Sequence, residues 1–128
     1  MKMSTRGRYG LTIMIDLAKS DTSLSIHDIA IKENISEKYL EKIMSLLSKA
    51  KLVTSIHGKN GGYMLSKDPS LYSIGEILRV CEGDMAPVPC VKDENCDKKD
   101  TCEMYSFWNG LYNNINNYVD DKTLKDFM

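Results

Sequence analysis

Three cysteines stand at equal intervals near the end of this sequence, Cys90, Cys96 and Cys102, in the stretch "CVKDENCDKKDTCEMY". The stretch is charged and has almost nothing apolar to bury, so packing does not account for the thiols. Zinc knuckles usually space cysteines two to four residues apart, and a C-x5-C-x5-C pattern is loose for them. Iron–sulfur clusters are larger and accept longer reaches. Free thiols, a redox disulfide pair and zinc remain as alternatives to a cluster. Asp100, with Glu103 three residues on, predicts the cap of a following helix, which places Cys102 in its first turn, where the dipole favours a thiolate. The fourth cysteine, Cys81, completes an apolar stripe with Ile74, Ile77 and Leu78 and reads as a core residue.

The elements that must position these thiols follow from periodicity and caps. Leu11, Met14, Leu17 and Ala18, with Ile13 beside them, have helical spacing. Ser25 and Asp28 form a capping-box pattern for a short helix with Ile26, Ile29 and Ala30 on one face, and Asn34 is placed to stop it. Ser36 starts a longer helix whose buried face is Leu40, Ile43, Met44 and Leu47, with Ile35 and Leu40 spaced as a hydrophobic staple. A short helix, a three-residue turn and a longer helix make a helix-turn-helix. "LVTSIH", "GKNGG" and "YMLS" then read as two strands around a glycine-rich basic turn, the wing of a winged helix. Ser73 and Glu76 start another helix and Gly83 ends it. "DMAPVP" breaks the pattern. Met104, Trp108, Leu111, Tyr112, Ile115 and Val119 line a last long helix, and Thr123 is placed to cap a final turn with Leu124 and Phe127.

The expected fold is therefore mainly α with a small β-hairpin wing. Residues 1–85 form a winged helix-turn-helix DNA-binding region, 86–102 a cysteine-bearing loop, and 103–128 a dimerisation helix with a C-terminal tail. The 128 residues carry a net charge of −1 that hides an asymmetry. Residues 1–67 hold eleven Lys and Arg against six Asp and Glu, whereas residues 68–128 hold six against twelve. A basic first half suits a phosphate-binding face. The sequence has no secretory h-region and no apolar run near the roughly 18 residues of a membrane span, so a cytoplasmic protein with no membrane partner is expected. Structural disulfides are then disfavoured.

A major groove admits one α-helix, read from its N-terminal residues. For the helix starting at Ser36, Lys38 and Lys42 are assigned to phosphates, and Tyr39 and Glu41 to bases. The wing tip offers Lys59, Asn60 and the backbone amides of Gly61 and Gly62, and Arg6 and Arg8 add charge ahead of the first helix. The alternative is a winged helix used for protein contacts. No nucleophile–base pair, phosphate loop or paired carboxylate site is visible, which argues against an enzyme.

"STRGRYGLTIMIDLA", "ISEKYLEKIMSLLSKAKLV", "HGKNGGYMLSKD" and the cysteine spacing together resemble, end to end, the Rrf-type winged-helix transcriptional regulators, and among them the IscR-like iron–sulfur cluster regulators. The resemblance implies a homodimeric regulator of a double-stranded DNA operator, with the helix after Cys102 crossing to the other subunit. It implies that Cys90, Cys96 and Cys102 hold a [2Fe-2S] or [4Fe-4S] cluster, which an oxidised apo preparation would lack. This sequence departs from the pattern in three places. Tyr105 stands where IscR-like members have a histidine, Arg8 where nitric-oxide-sensing relatives have an aspartate, and His57 where the wing often has an arginine. The fourth ligand and the signal, whether iron, redox state or nitric oxide, are thereby left open. Tyr105 is a poor ligand, since a phenol is a weak acid near pH 7. A clusterless regulator answering to a protein or thiol metabolite is one alternative. A small iron–sulfur redox carrier is another, and it leaves the wing unexplained.

Overall fold

The computed structural model describes residues 2–92 and 100–128. Among the described residues, six helices and one hairpin follow in the order α1 (Thr5–Lys19), α2 (Ile26–Glu33), α3 (Glu37–Lys49), β1 (Val53–Ile56), β2 (Gly62–Leu65), α4 (Ile74–Glu82), α5 (Pro89–Lys92) and α6 (Tyr105–Asp121). Short 3-10 turns at Pro69–Leu71 and Leu124–Phe127 complete the chain. None of the described helices is long and apolar enough to cross a membrane.

Local chemistry sets most helix ends. Ser25 accepts from the Asp28 N–H and Asp28 accepts from the Ser25 N–H, which is the reciprocal box at the start of α2. Asn34 ends α2 in the left-handed region at φ 53°. Ser36 and Ser73 cap α3 and α4 by accepting from the N–H groups of Tyr39 and Glu76. Two helices depart from the sequence reading. α5 opens at Pro89, inside the stretch expected to be non-helical, because proline fits the first position of a helix, where its missing N–H costs nothing. The other is α6. Its first helical residue is Tyr105, Met104 flanks it with no side-chain cap, and the Asp100–Glu103 box does not form. Cys102 therefore lies in a turn ahead of the helix, its carbonyl accepting from the Tyr105 N–H at 3.3 Å.

The core is formed where α1, α3 and α4 meet. Ile13, Met14 and Leu17 face Leu40, Ile43, Met44, Leu47, Ile77 and Cys81, all buried. Each fully buried aliphatic side chain contributes about 1.5–3 kcal/mol. The close fit of α1 on α4 requires glycine. A Cβ at Gly7 would sit among the Glu82 side-chain atoms, and one at Gly10 would lie 2.5 Å from Cys81 Sγ. β1 and β2 pair antiparallel from Val53–Leu65 to Ile56–Gly62. The C-terminal tail returns to this core: the Ile74 N–H donates to the Lys122 carbonyl at 2.8 Å, the Leu124 N–H to the Tyr72 carbonyl at 3.2 Å, and Leu124 is fully buried. By contrast, no residue of α6 is buried. That helix rests on α4 through a fork in which Arg79 donates to both carboxylate oxygens of Asp120, at 2.6 and 3.0 Å, and to Asn116 Oδ1.

Gly10→Ala is expected to lose about 1–3 kcal/mol in urea unfolding from overpacking. The double variant Gly10→Ala/Cys81→Ala should be more stable than the sum of the two single losses, because the clashing sulfur is gone.

Candidate nucleic-acid interface and thiol loop

The exposed side of α3 carries Glu37, Lys38, Glu41, Lys42 and Ser45, opposite its fully buried stripe. The caps of α2 and α3 fix the turn between them, and His27 Nδ1 lies 3.2 Å from Glu37 Oε1, a further tie across it. The structure distinguishes among the residues assigned to DNA. Lys38, Glu41 and Lys42 stand exposed on one helix. Tyr39 is half-buried, and its ring meets the Tyr9 ring edge-on with centroids 5.8 Å apart, so it positions α3 against α1. The Ser36 oxygen is occupied by capping, which leaves its O–H as a donor.

At the wing, His57, Lys59 and Asn60 are exposed. The Gly61 amide is not free for phosphate, since it donates to the Gly58 carbonyl at 3.0 Å inside the turn. The wing is anchored by contacts that periodicity does not reveal. Leu24 pairs with Tyr63 in a single antiparallel bridge, its N–H donating at 3.0 Å and its carbonyl accepting at 2.8 Å. The backbone approaches so closely there that a Cβ at Gly62 would lie 2.4 Å from the Leu24 carbonyl oxygen. The Ser23 hydroxyl donates to the Asn60 carbonyl at 2.6 Å. At the base of the wing the buried Tyr72 hydroxyl accepts from the N–H groups of Ser66 and Lys67 and donates to the Leu52 carbonyl at 2.6 Å.

Ahead of the helix-turn-helix, the Arg6 Nε–H donates to the Cys81 carbonyl at 2.5 Å, which fastens this guanidinium to the end of α4. Arg8 is exposed. Glu82 Oε1 accepts from the backbone N–H groups of Ser4 and Gly7, both at 2.9 Å, and from the Ser4 hydroxyl.

Of the three loop thiols, Cys90 lies half-buried in α5, Cys102 is exposed ahead of α6, and Cys96 falls outside the described residues. Cys90 and Cys102 are both free. α5 packs on α6, so the two ends of the loop are held to one helix. Their donor set is soft thiolate, which suits iron–sulfur ligation, and neither belongs to the core. Cys81 is a different thiol. It is buried against Gly10, and burial pushes its pKa up to about 11. Tyr105 is half-buried at the start of α6. Among the described residues, no three His, Cys, Asp or Glu side chains are grouped to hold a metal ion, a set that does not include Cys96.

A raised pKa means less thiolate at a given pH. Iodoacetamide at pH 8 is therefore expected to modify Cys90 and Cys102 in the folded protein and to spare Cys81 until denaturant is added, as read by peptide mass spectrometry.

A profile of the Rrf2 family, described as "Iron-dependent Transcriptional regulator", matches residues 3–128. The chain is 42% identical over 128 residues to the HTH-type transcriptional regulator CymR of Bacillus subtilis (strain 168), covering 98% of this chain and 88% of the relative. It is 32% identical over 130 residues to the HTH-type transcriptional regulator IscR of Yersinia enterocolitica, covering 100% and 79%. Among solved structures it is similar to that of CymR, described as the global cysteine regulator of B. subtilis, with a TM-score of 0.81 and 41% identity over 99% of this chain and 95% of that one. The T. potens IscR structure also gives 0.81, with 34% identity over 99% and 85%.

Proposed function

Because the chain belongs to the Rrf2 family of transcriptional regulators and is not an enzyme, we propose that it acts in the cytoplasm as a homodimer on double-stranded operator DNA, with its affinity or operator choice set by an iron–sulfur cluster at Cys90, Cys96 and Cys102. The observation that carries the DNA reading is that Lys38, Glu41 and Lys42 of α3 and His57, Lys59 and Asn60 of the wing are all exposed. Lys38, Lys42 and Lys59 neutralise phosphates, and Glu41 accepts from a cytosine amino group in the major groove. Arg8 adds charge ahead of α1, and the Ser36 O–H is free to donate to a phosphate.

Two features support the cluster. Cys90 and Cys102 flank one loop and have no packing role, and α5 and α6 hold its two ends together. When bound, a cluster supplies an anionic centre sensitive to iron supply, redox state or nitric oxide. The chain's own part is mechanical. The loop joins the end of α4 to the start of α6, so a change in the loop acts on the angle between winged helix and dimer helix. Operator half-sites are spaced at about 34 Å per helical turn, and a changed spacing between two recognition helices changes affinity. Switching requires that the two forms differ in DNA affinity.

A second reading is a cluster-free regulator that answers to a protein or a thiol metabolite. The 42% identity to a protein whose structure is described as that of a global cysteine regulator favours it.

Lys42→Ala and Lys59→Ala are each expected to weaken binding about equally on every DNA and to reduce the salt slope by about 0.9. Glu41→Ala should cost about 1–3 kcal/mol of discrimination at one base pair. Anaerobic purification with iron and sulfide analysis separates the two readings. Bound iron and sulfide, lost in Cys90→Ala, Cys96→Ala and Cys102→Ala, with operator affinity differing tenfold or more between loaded and cluster-free protein at one salt, is the expected result. Colourless protein with free thiols after anaerobic reconstitution supports the second reading, and equal affinities defeat the switch.

A further inference from the structure

One buried charge is used neither by the DNA face nor by the thiol loop. Asp16 lies on the inner side of α1 and is only 6% exposed. Lys32 Nζ meets its Oδ1 at 3.0 Å from a largely exposed position. Oδ2 is buried and has no hydrogen-bond partner among the described residues. Glu33 stands beside it, and its pKa is raised, first by burial and then by the neighbouring Asp16 carboxyl. The one lysine contact reaches Oδ1 alone, and a buried carboxylate oxygen with no donor is costly.

Asp16 and Glu33 both line a cavity of about 410 Å³. Its other walls include Leu11 and Ile15 of α1, Ile74 at the start of α4, and Phe127 of the tail. Small-molecule sites are typically about 300–1,000 Å³, largely apolar, with a few placed polar groups. This cavity has that character: its charged lining residues, Asp16 and Glu33, are both acidic, and its remaining polar residue, Thr12, gives its hydroxyl to the Arg8 carbonyl. None of the residues assigned to DNA or to the cluster lines it.

We propose that this cavity binds a small organic cation, a primary amine on a short apolar body, with the ammonium held by Asp16 and Glu33 and the hydrocarbon against Leu11, Ile15, Ile74 and Phe127. An ammonium has three donors and no acceptor, which matches the unpartnered Asp16 Oδ2 with the Glu33 carboxyl beside it. A carboxylate of the same length is repelled, and an alcohol brings no charge. The ligand binds the folded chain at a joint between α1, α2, α4 and the tail, so it stabilises the fold in proportion to its occupancy.

The test uses the full chain with n-hexylamine as probe and n-hexanol and hexanoate as neutral and anionic matches, at one pH and ionic strength. Methyl NMR shifts at Leu11, Ile15 and Ile74 report the site, and thermal unfolding reports stabilisation. The amine is expected to bind about tenfold tighter than the alcohol or better, as a charge-assisted hydrogen bond predicts, and hexanoate not at all. Asp16→Asn should lose about tenfold in amine affinity. Lys32→Ala removes the competing cation at an exposed position, so it should gain affinity and be stabilised by the amine more than the parent is. This second variant carries the test if Asp16→Asn fails to fold. Equal binding of amine and alcohol, loss of affinity in Lys32→Ala, shifts confined to other residues, or a cavity closed to all three probes by a second copy of the chain would each overturn the proposal. Operator binding is measured separately, so failure of this site leaves the DNA reading intact, and the reverse holds too.

Discussion

The close approach of α1 to the end of α4 is the contact on which the rest of the structure depends. It exists because Gly7 and Gly10 have no side chains at the crossing, which lets Glu82 and Cys81 occupy that space. Glu82 then supplies an acceptor to the N-terminal amides of α1, a favourable place for a carboxylate, and a hydrogen bond to a charged group contributes about 1.5–3 kcal/mol. The same crossing anchors Arg6 on the Cys81 carbonyl. These polar ties are smaller than the apolar burial behind them, since Ile13, Met14, Leu17, Ile43, Leu47 and Ile77 each contribute on a similar scale and act together. The glycines decide whether that burial is reached at all. One residue beyond Glu82, Gly83 ends α4 at φ 89° and releases the chain toward the thiol loop. The crossing is thus the fixed point between α3, which packs on both α1 and α4, and the segment that carries the cysteines.

What could be read from the sequence was local. Ser25 with Asp28, Asn34, and Ser36 act through partners within a few residues, so their caps and stops were visible in the string. The stripe Leu40, Ile43, Met44 and Leu47 was visible because helical period and burial coincide. The hairpin was visible from β-branched residues around glycine. The burial of Cys81 also followed from its stripe.

What could not be read depends on partners far along the chain. Leu24 lies in a turn-like segment, and nothing local shows that it pairs with Tyr63. Tyr72 gives no sign in sequence that its hydroxyl gathers Leu52, Ser66 and Lys67. Leu124, in a short terminal turn, looks peripheral until the tail folds back on Tyr72 and Ile74. Asp16, next to Leu17, reads as a solvated charge, and its burial follows from α2 bringing Lys32 and Glu33 over it. Asp100 and Glu103 have the spacing of a capping box, but the helix begins later, at Tyr105. A capping pattern permits a helix start without requiring one. Tyr39 and Gly61 show the same limit at the candidate interface, because residue type suggested DNA contacts while packing against Tyr9 and a turn hydrogen bond already occupy them.

These differences in how elements are held bear on which part of the molecule can move. α1, α3 and α4 share a core of fully buried side chains, and displacing them would cost many times the free energy of any single contact. α6 has no buried residue, and the Arg79 fork and the Tyr112–Asp84 hydrogen bond are largely exposed. Exposed ion pairs contribute about 0–1 kcal/mol each. A 17-residue helix seated only by half-buried side chains and these polar ties is a soft joint within one chain. The thiol loop enters at that joint, between the rigid end of α4 and the first turn of α6. A local event of a few kcal/mol in the loop is small against the winged-helix core and large against the seat of α6. α1, α3 and α4 are therefore the firmly held part of the chain, and α6 the part that a small change in free energy can shift.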